Sequence, residues 1–142
     1  MAETFAPEVA GLATTPSTNA NAGVQGGRVR RFRATVPFNG QAIGDTVVLA
    51  DVPPGATFAY GVINATATLG STATIAIGTA SSTGKYRIAA TQTATGPTLF
   101  GVASAADDAP LTAGERVILT VAAAALPDSS NFAVVDLYFS AP

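Results

Sequence analysis

From Arg28 onward, apolar and polar residues alternate in short runs with a period of two, and each run stops at proline, glycine or a cluster of small polar residues. Arg28 to Val36 is the first predicted strand, closed by Pro37 and the Asn39-Gly40 pair. Thr46 to Ala50 is the second. Pro53-Pro54-Gly55 then turns the chain, because proline presets φ and glycine supplies the left-handed position. Thr57 to Leu69 reads as a long third strand whose alternation changes sides near Asn64, which predicts a bulge or bend there. Thr72 to Gly78 is the fourth, with Ala73, Ile75 and Ile77 on one face. Lys85 to Thr93, Leu99 to Ala103, Arg116 to Ala123 and Phe132 to Phe139 complete the set, with Val117, Leu119 and Val121 sharing a face. Ala122 to Ala125 favours helix by propensity, but the run is short and meets Pro127, so it is read as a strand end. Eight strands without helical periodicity predict an all-β sandwich or barrel over residues 27–142.

Residues 1–26 follow neither period. Pro7, Pro16, glycines and a Ser/Thr/Asn cluster interrupt them. Such a stretch has little to bury by itself, so it is either a disordered tail or an extended N-terminal arm that lies on a neighbouring subunit or partner. The arm is the expected reading, with Phe5, Val9 and Leu12 as its apolar contacts.

Composition narrows the chemistry. The 142 residues suit one domain. Only 11% are charged, against roughly 25% in ordinary globular chains. The surface must therefore be covered largely by Ala, Thr, Ser and Gly, which suits packing against other protein. There is no His, Cys or Trp, which removes the usual general base, transition-metal ligands and thiolate nucleophile. No enzymatic activity, metal or cofactor is expected. A net charge of −2 gives no whole-molecule attraction to nucleic acid. The longest apolar run, Val121 to Leu126, is too short to span a bilayer, so no membrane partner is expected. Met1 to Ala10 lacks the basic start and apolar stretch of a secretory signal.

Three groupings of side chains invite a functional reading. Arg28, Arg30, Arg31 and Arg33 hold four of the seven cationic residues. On a strand, Arg28 and Arg30 share a face with Phe32, while Arg31 and Arg33 share the other with Val29. They read as an anchor for carboxylates on a partner; the alternatives are charge protection of an edge strand and phosphate contact. Asp107, Asp108 and Glu115 surround a loop and supply oxygen ligands of the calcium-binding type, but without the regular spacing of a calcium loop. Phe58, Tyr60, Phe132, Tyr138 and Phe139 read as core or interface, with Tyr86 as an exposed ring able to stack on a sugar.

The stretch from Asp45 to Thr79, DTVVLADVPPGATFAYGVINATATLGSTATIAIGT, and the terminal VVDLYFSAP resemble small β-sandwich structural proteins of tailed-bacteriophage heads, the decoration, cement or head-fibre proteins. The resemblance covers about half of the predicted domain. It implies an eight-stranded, jelly-roll-like antiparallel sandwich that binds the outside of the capsid. The partner it implies is the major capsid protein; the weakly charged surface and open strand edges, with the resemblance in support, add further copies of the chain as a homotrimer at local three-fold positions, a monomer being the alternative. Synthesis is then expected in the host cytoplasm and function in the virion, where the protein would stabilise the shell by bridging capsomers. A receptor- or glycan-binding module of a phage fibre or appendage is the alternative.

Overall fold

A computed structural model describes residues 27–105 and 109–141. The described residues form eight strands, β1 (Arg28–Asn39), β2 (Thr46–Val52), β3 (Thr57–Ala65), β4 (Thr74–Gly78), β5 (Arg87–Thr91), β6 (Gly96–Phe100), β7 (Glu115–Ala122) and β8 (Asp128–Ala141). One sheet has the order β1-β8-β3-β6 and the other β2-β7-β4-β5, with every pairing antiparallel. Apart from β4 and β5, which pair as neighbours in one sheet, successive strands cross between the sheets in the double Greek key of a jelly roll. The expected all-β sandwich is the observed one.

The core is the seam between the inner faces. Val117, Leu119 and Val121 of β7 and Ala73, Ile75 and Ile77 around β4 are all buried, as their alternation predicts. From the opposing sheet come Val36 and Phe38, Phe58 and Ile63, and Val135, Leu137 and Phe139. At one end four rings meet. Phe139 lies edge-on to Phe32, Phe58 and Tyr86 with centroids 5.8, 5.4 and 5.8 Å away, and Phe58 and Tyr86 are 4.6 Å apart.

Several boundaries differ from the sequence reading. β1 runs through Pro37 to Asn39. It is an edge strand, so the missing N–H of Pro37 breaks no ladder, and Phe38 beyond it is fully buried. β3 ends at Ala65, short of the expected Leu69. Its register shift falls between Phe58 and Tyr60 rather than near Asn64. That bulge turns Phe58 inward and Tyr60 outward although both share a parity. β6 starts at Gly96, and Ala103–Ala105, expected in part as strand, form a 3-10 turn. β8 extends to fourteen residues.

The Pro53-Pro54-Gly55 turn behaves as read, with Gly55 at φ 89°. The alanine run after β7 holds a surprise. Ala123 adopts φ 66°, and the amide of Ala124 donates to the carbonyl of Ala122 at 2.8 Å. This is the tight three-residue turn that is strained for any residue with a Cβ. Ala123→Gly should relieve more strain than it adds in unfolded-state entropy and raise stability by about 0.5 kcal/mol. Calorimetry should show a melting temperature higher by about 2 °C; a lower value would mean that the left-handed alanine carries no strain.

Candidate functional site

The arginine run lies on β1, at the edge of its sheet. Phe32 decides which parity faces out, because its ring packs on Phe139 in the core. Arg28 and Arg30 share the inward parity but sit at the exposed outer end of the strand, beyond the core. Arg31 and Arg33 project from the outer face. There they straddle Asp136 of β8, at 4.0 and 3.9 Å.

The pairing register builds the rest of this face in rows across the sheet. One row is Arg31–Tyr138–Tyr60, in which the two tyrosine rings stack 4.7 Å apart. The next is Arg33–Asp136–Val62–Leu99. A third is Thr35–Val134–Asn64–Pro97. Val29, two residues from Arg31, and Leu99, three strands across the row from Arg33, are 66% and 73% exposed, so large apolar side chains stand in solvent on the face that carries the two guanidiniums. Asp136 is the one acid in these rows. Its side chain is only 14% exposed, and its Oδ1 is buried without a hydrogen-bond partner. Two arginines held at 4 Å without a hydrogen bond leave most of their donors free. The arrangement suits recognition of carboxylates beside an apolar surface, and supplies neither a nucleophile nor a proton-transfer pair.

A second polar cluster sits at the mouth of the core. Glu115 of β7 accepts from Lys85 Nζ at 2.6 Å and from the Tyr86 hydroxyl. Lys85, Glu115, Phe58, Tyr86 and the Ala109–Gly114 stretch line a small hollow there. Tyr86 is 1% exposed, which corrects its assignment as an exposed stacking ring: Gly84 and Lys85 bring it in beneath Phe58, where its body packs and its hydroxyl finds the carboxylate. Burial first, and then the Glu115 carboxylate, push the phenol well above its ordinary range. Because the folded pKa is raised, this contribution to stability is complete below the unfolded value of about 10 and is lost as pH rises beyond it. In Tyr86→Phe the melting temperature should therefore fall less steeply above about pH 10 than in the parent. At neutral pH the variant should lose about 1.5–3 kcal/mol, the contribution of a hydrogen bond to a charged group. Equal alkaline slopes in thermal melts of the two proteins would refute the assignment.

The remaining expectations sort as follows. Asp107 and Asp108 lie outside the described residues, as do Phe5, Val9 and Leu12 and the arm that carries them. Glu115, the third member of the acidic loop, is engaged with Lys85 and Tyr86. Among the described residues no group of three His, Cys, Asp or Glu side chains is placed to hold a metal, and no helix is long and apolar enough to cross a membrane. Arg87 was not singled out from the sequence. It donates to the carbonyls of Ala90 and Thr91 and to Gln92 Oε1, at 3.1–3.2 Å, clamping the end of β5. Arg116 and Asp51 pair across β7 and β2 at 2.8 and 3.0 Å, an exposed pair that holds its own carboxylate pKa down and guanidinium pKa up. Asp136, Val62, Leu99 and the tyrosine pair were likewise missed as members of one face; the acid standing alone inside FAVVDLYF was the available signal.

No protein-family model matches the chain, and no curated protein matches it. Solved structures do. A chain of the cyanophage Pam1 capsid asymmetric unit aligns with TM-score 0.63 at 19% identity, covering 82% of this chain and 86% of that one. A chain in the capsid of Ralstonia phage GP4 aligns with TM-score 0.62 at 18% identity, over 82% and 84%. A chain in the acidic stable capsid structure of Helicobacter pylori bacteriophage KHP30 gives 0.59 at 17%, over 80% and 88%. This chain therefore has the β-sandwich fold of chains found within three phage capsids.

Proposed function

We propose that this protein is a structural component of a phage virion that binds the outside of the capsid and stabilises it by bridging capsomers. The observation that carries the reading is the match, over about four-fifths of both chains, to chains resident in three phage capsids. The chemistry agrees with it. The chain has no His or Cys, and the Lys85–Glu115 cluster beside a hollow is spent on holding Tyr86. What the molecule offers a partner is surface: a row of arginines beside exposed apolar side chains.

The mechanism is mechanical. A standard interface of about 800 Å² per partner, gaining about 25 cal/mol per Å² of apolar area before the costs of association, opposes separation of the units it spans. Repeated over a shell, such bridges resist outward pressure without any chemical step. Arg28, Arg30, Arg31 and Arg33 are the anchor to acids of the major capsid protein or of a neighbouring copy, and Phe5, Val9 and Leu12 add the arm's apolar contacts. A homotrimer at local three-fold positions is the assembly that fits this role, because closed symmetry limits growth and three-fold points bring several capsomers within reach. The protein in this reading is not an enzyme, needs no cofactor, and takes neither nucleic acid nor membrane as partner.

The test is addition of purified protein to heads that lack it, followed by sedimentation and imaging. Saturable density on the outer surface between capsomers is the expected result. Failure to co-sediment, or density only inside the shell, would overturn the reading.

A further inference from the structure

The outer face of the β1-β8-β3-β6 sheet is built as a receiving surface, and the chain itself contains its complement. We propose that this face binds residues 3–12 of a second copy of the chain, which makes the assembly an exchange of arms. The inference rests on the decoration reading only for its biological setting; the contact itself is a property of the purified protein.

The first argument is chemical. The face pairs exposed apolar side chains, Leu99 at 73% and Tyr60 at 44%, with Arg31 and Arg33. Asp136 is shared between both guanidiniums at about hydrogen-bond-breaking distance, 4.0 and 3.9 Å, so their donors remain available to another carboxylate. Residues 3–12 read ETFAPEVAGL: two acids, Glu3 and Glu8, interleaved with Phe5, Val9 and Leu12. This is the one stretch of the chain before β1 that carries charge, and both charges are negative. Pro7 suits an extended segment laid on a sheet face and disfavours a helix.

The second argument is length, which puts the same face of an adjacent copy within reach. The Arg31–Tyr138–Tyr60 row begins four residues beyond Gly27, about 13 Å at ~3.3 Å per residue. The Arg33–Leu99 row follows about 7 Å later. Residues 3–12 lie at least fifteen residues upstream of Gly27, about 50 Å away when extended. That reach exceeds the roughly 46 Å of β8, the longest of the eight strands, so residues 3–12 can span from one sandwich to the next, and the double-cysteine variant below separates this from return to the same face. An arm that leaves its own domain brings residues 3–12 to a neighbour. Cyclic exchange then seats every arm and leaves no unfilled face.

The absence of cysteine makes the test direct, because introduced thiols are the only ones present. Full-length Phe5→Cys is mixed with full-length Leu99→Cys under mild oxidation, and the products are separated without reductant. Leu99 is exposed, so the substitution leaves the core intact. A covalent heterodimer is expected in this mixture, and little in a mixture of Phe5→Cys with Thr46→Cys, whose thiol stands on the other sheet. Sedimentation of the cysteine-free protein should show an oligomer, and Glu3→Lys with Glu8→Lys should weaken its association about tenfold or more while the melting temperature holds. No heterodimer above the Thr46→Cys background would overturn the proposal. So would an intrachain disulfide forming alone in the Phe5→Cys/Leu99→Cys double variant. A chain that bound heads as a monomer would fail these tests and still co-sediment, so the two readings fail separately.

Discussion

Replacing Phe139 by alanine is expected to remove most of the stability of the domain. Its ring is fully buried and touches Phe32, Phe58 and Tyr86, so it is the hub through which β1, β3, β8 and the approach to β5 pack at one end of the sandwich. Truncation loses the transfer free energy of the ring and leaves a void that three rigid aromatic neighbours cannot collapse to fill. The cost should be about 3–5 kcal/mol. Against a typical total of about 5–15 kcal/mol, that leaves a marginal protein. Thermal melting should move down by on the order of 15 °C, and the urea midpoint should fall with its slope unchanged. Phe139→Leu, which keeps most of the volume, should recover more than half of the loss. A loss of under about 1 kcal/mol for Phe139→Ala would show that the aromatic cluster repacks freely and is not the closing element of the core.

Deleting residues 1–26 is expected to do the opposite: leave the fold standing and abolish attachment. Among the described residues, every member of the core cluster lies between Val36 and Phe139, and those residues by themselves form two sheets packed face to face. The shortened chain should melt within about 2 °C of the parent, since it keeps every residue of the described core. It should also fail to co-sediment with heads that the full chain decorates. If the shortened chain does not fold, the arm belongs to the domain. If it folds and still binds, the anchor is on the sandwich, and the arginines of β1 become the residues to reverse. The truncation also bears on exchange between copies, because a monomer in sedimentation is the outcome that arm exchange requires of it.

The strands were legible in the amino-acid sequence because their signals are local. Alternation in β4 and β7 marks Ile75, Ile77, Val117, Leu119 and Val121 as one-sided, and proline-glycine turns are steric facts about neighbouring residues. The parity of the arginine run was also legible: Phe32 on one side and Arg31 and Arg33 on the other required nothing beyond strand geometry. What those arginines meet was not. Asp136 is more than a hundred residues away, and only the β1-β8 register sets it between them. The same holds for Leu99, which reaches the face through β6 pairing with β3. Sheet order is a set of non-local choices, and composition or periodicity within a strand carries no label for its partner. Local reading failed where packing overrode it. Pro37 looked like a stop, but an edge strand has no use for its amide. The parity of Phe58 and Tyr60 looked continuous until a bulge between them sent one ring into the core and the other to solvent. Tyr86 looked exposed among polar neighbours, and only the fold supplies the cavity under Phe58 and the Glu115 carboxylate that let a hydroxyl be buried there. Sequence alone determined that this is a β protein without His or Cys and with a basic first strand. Tertiary structure decided which side chains share a face, because that depends on contacts between residues far apart in the chain.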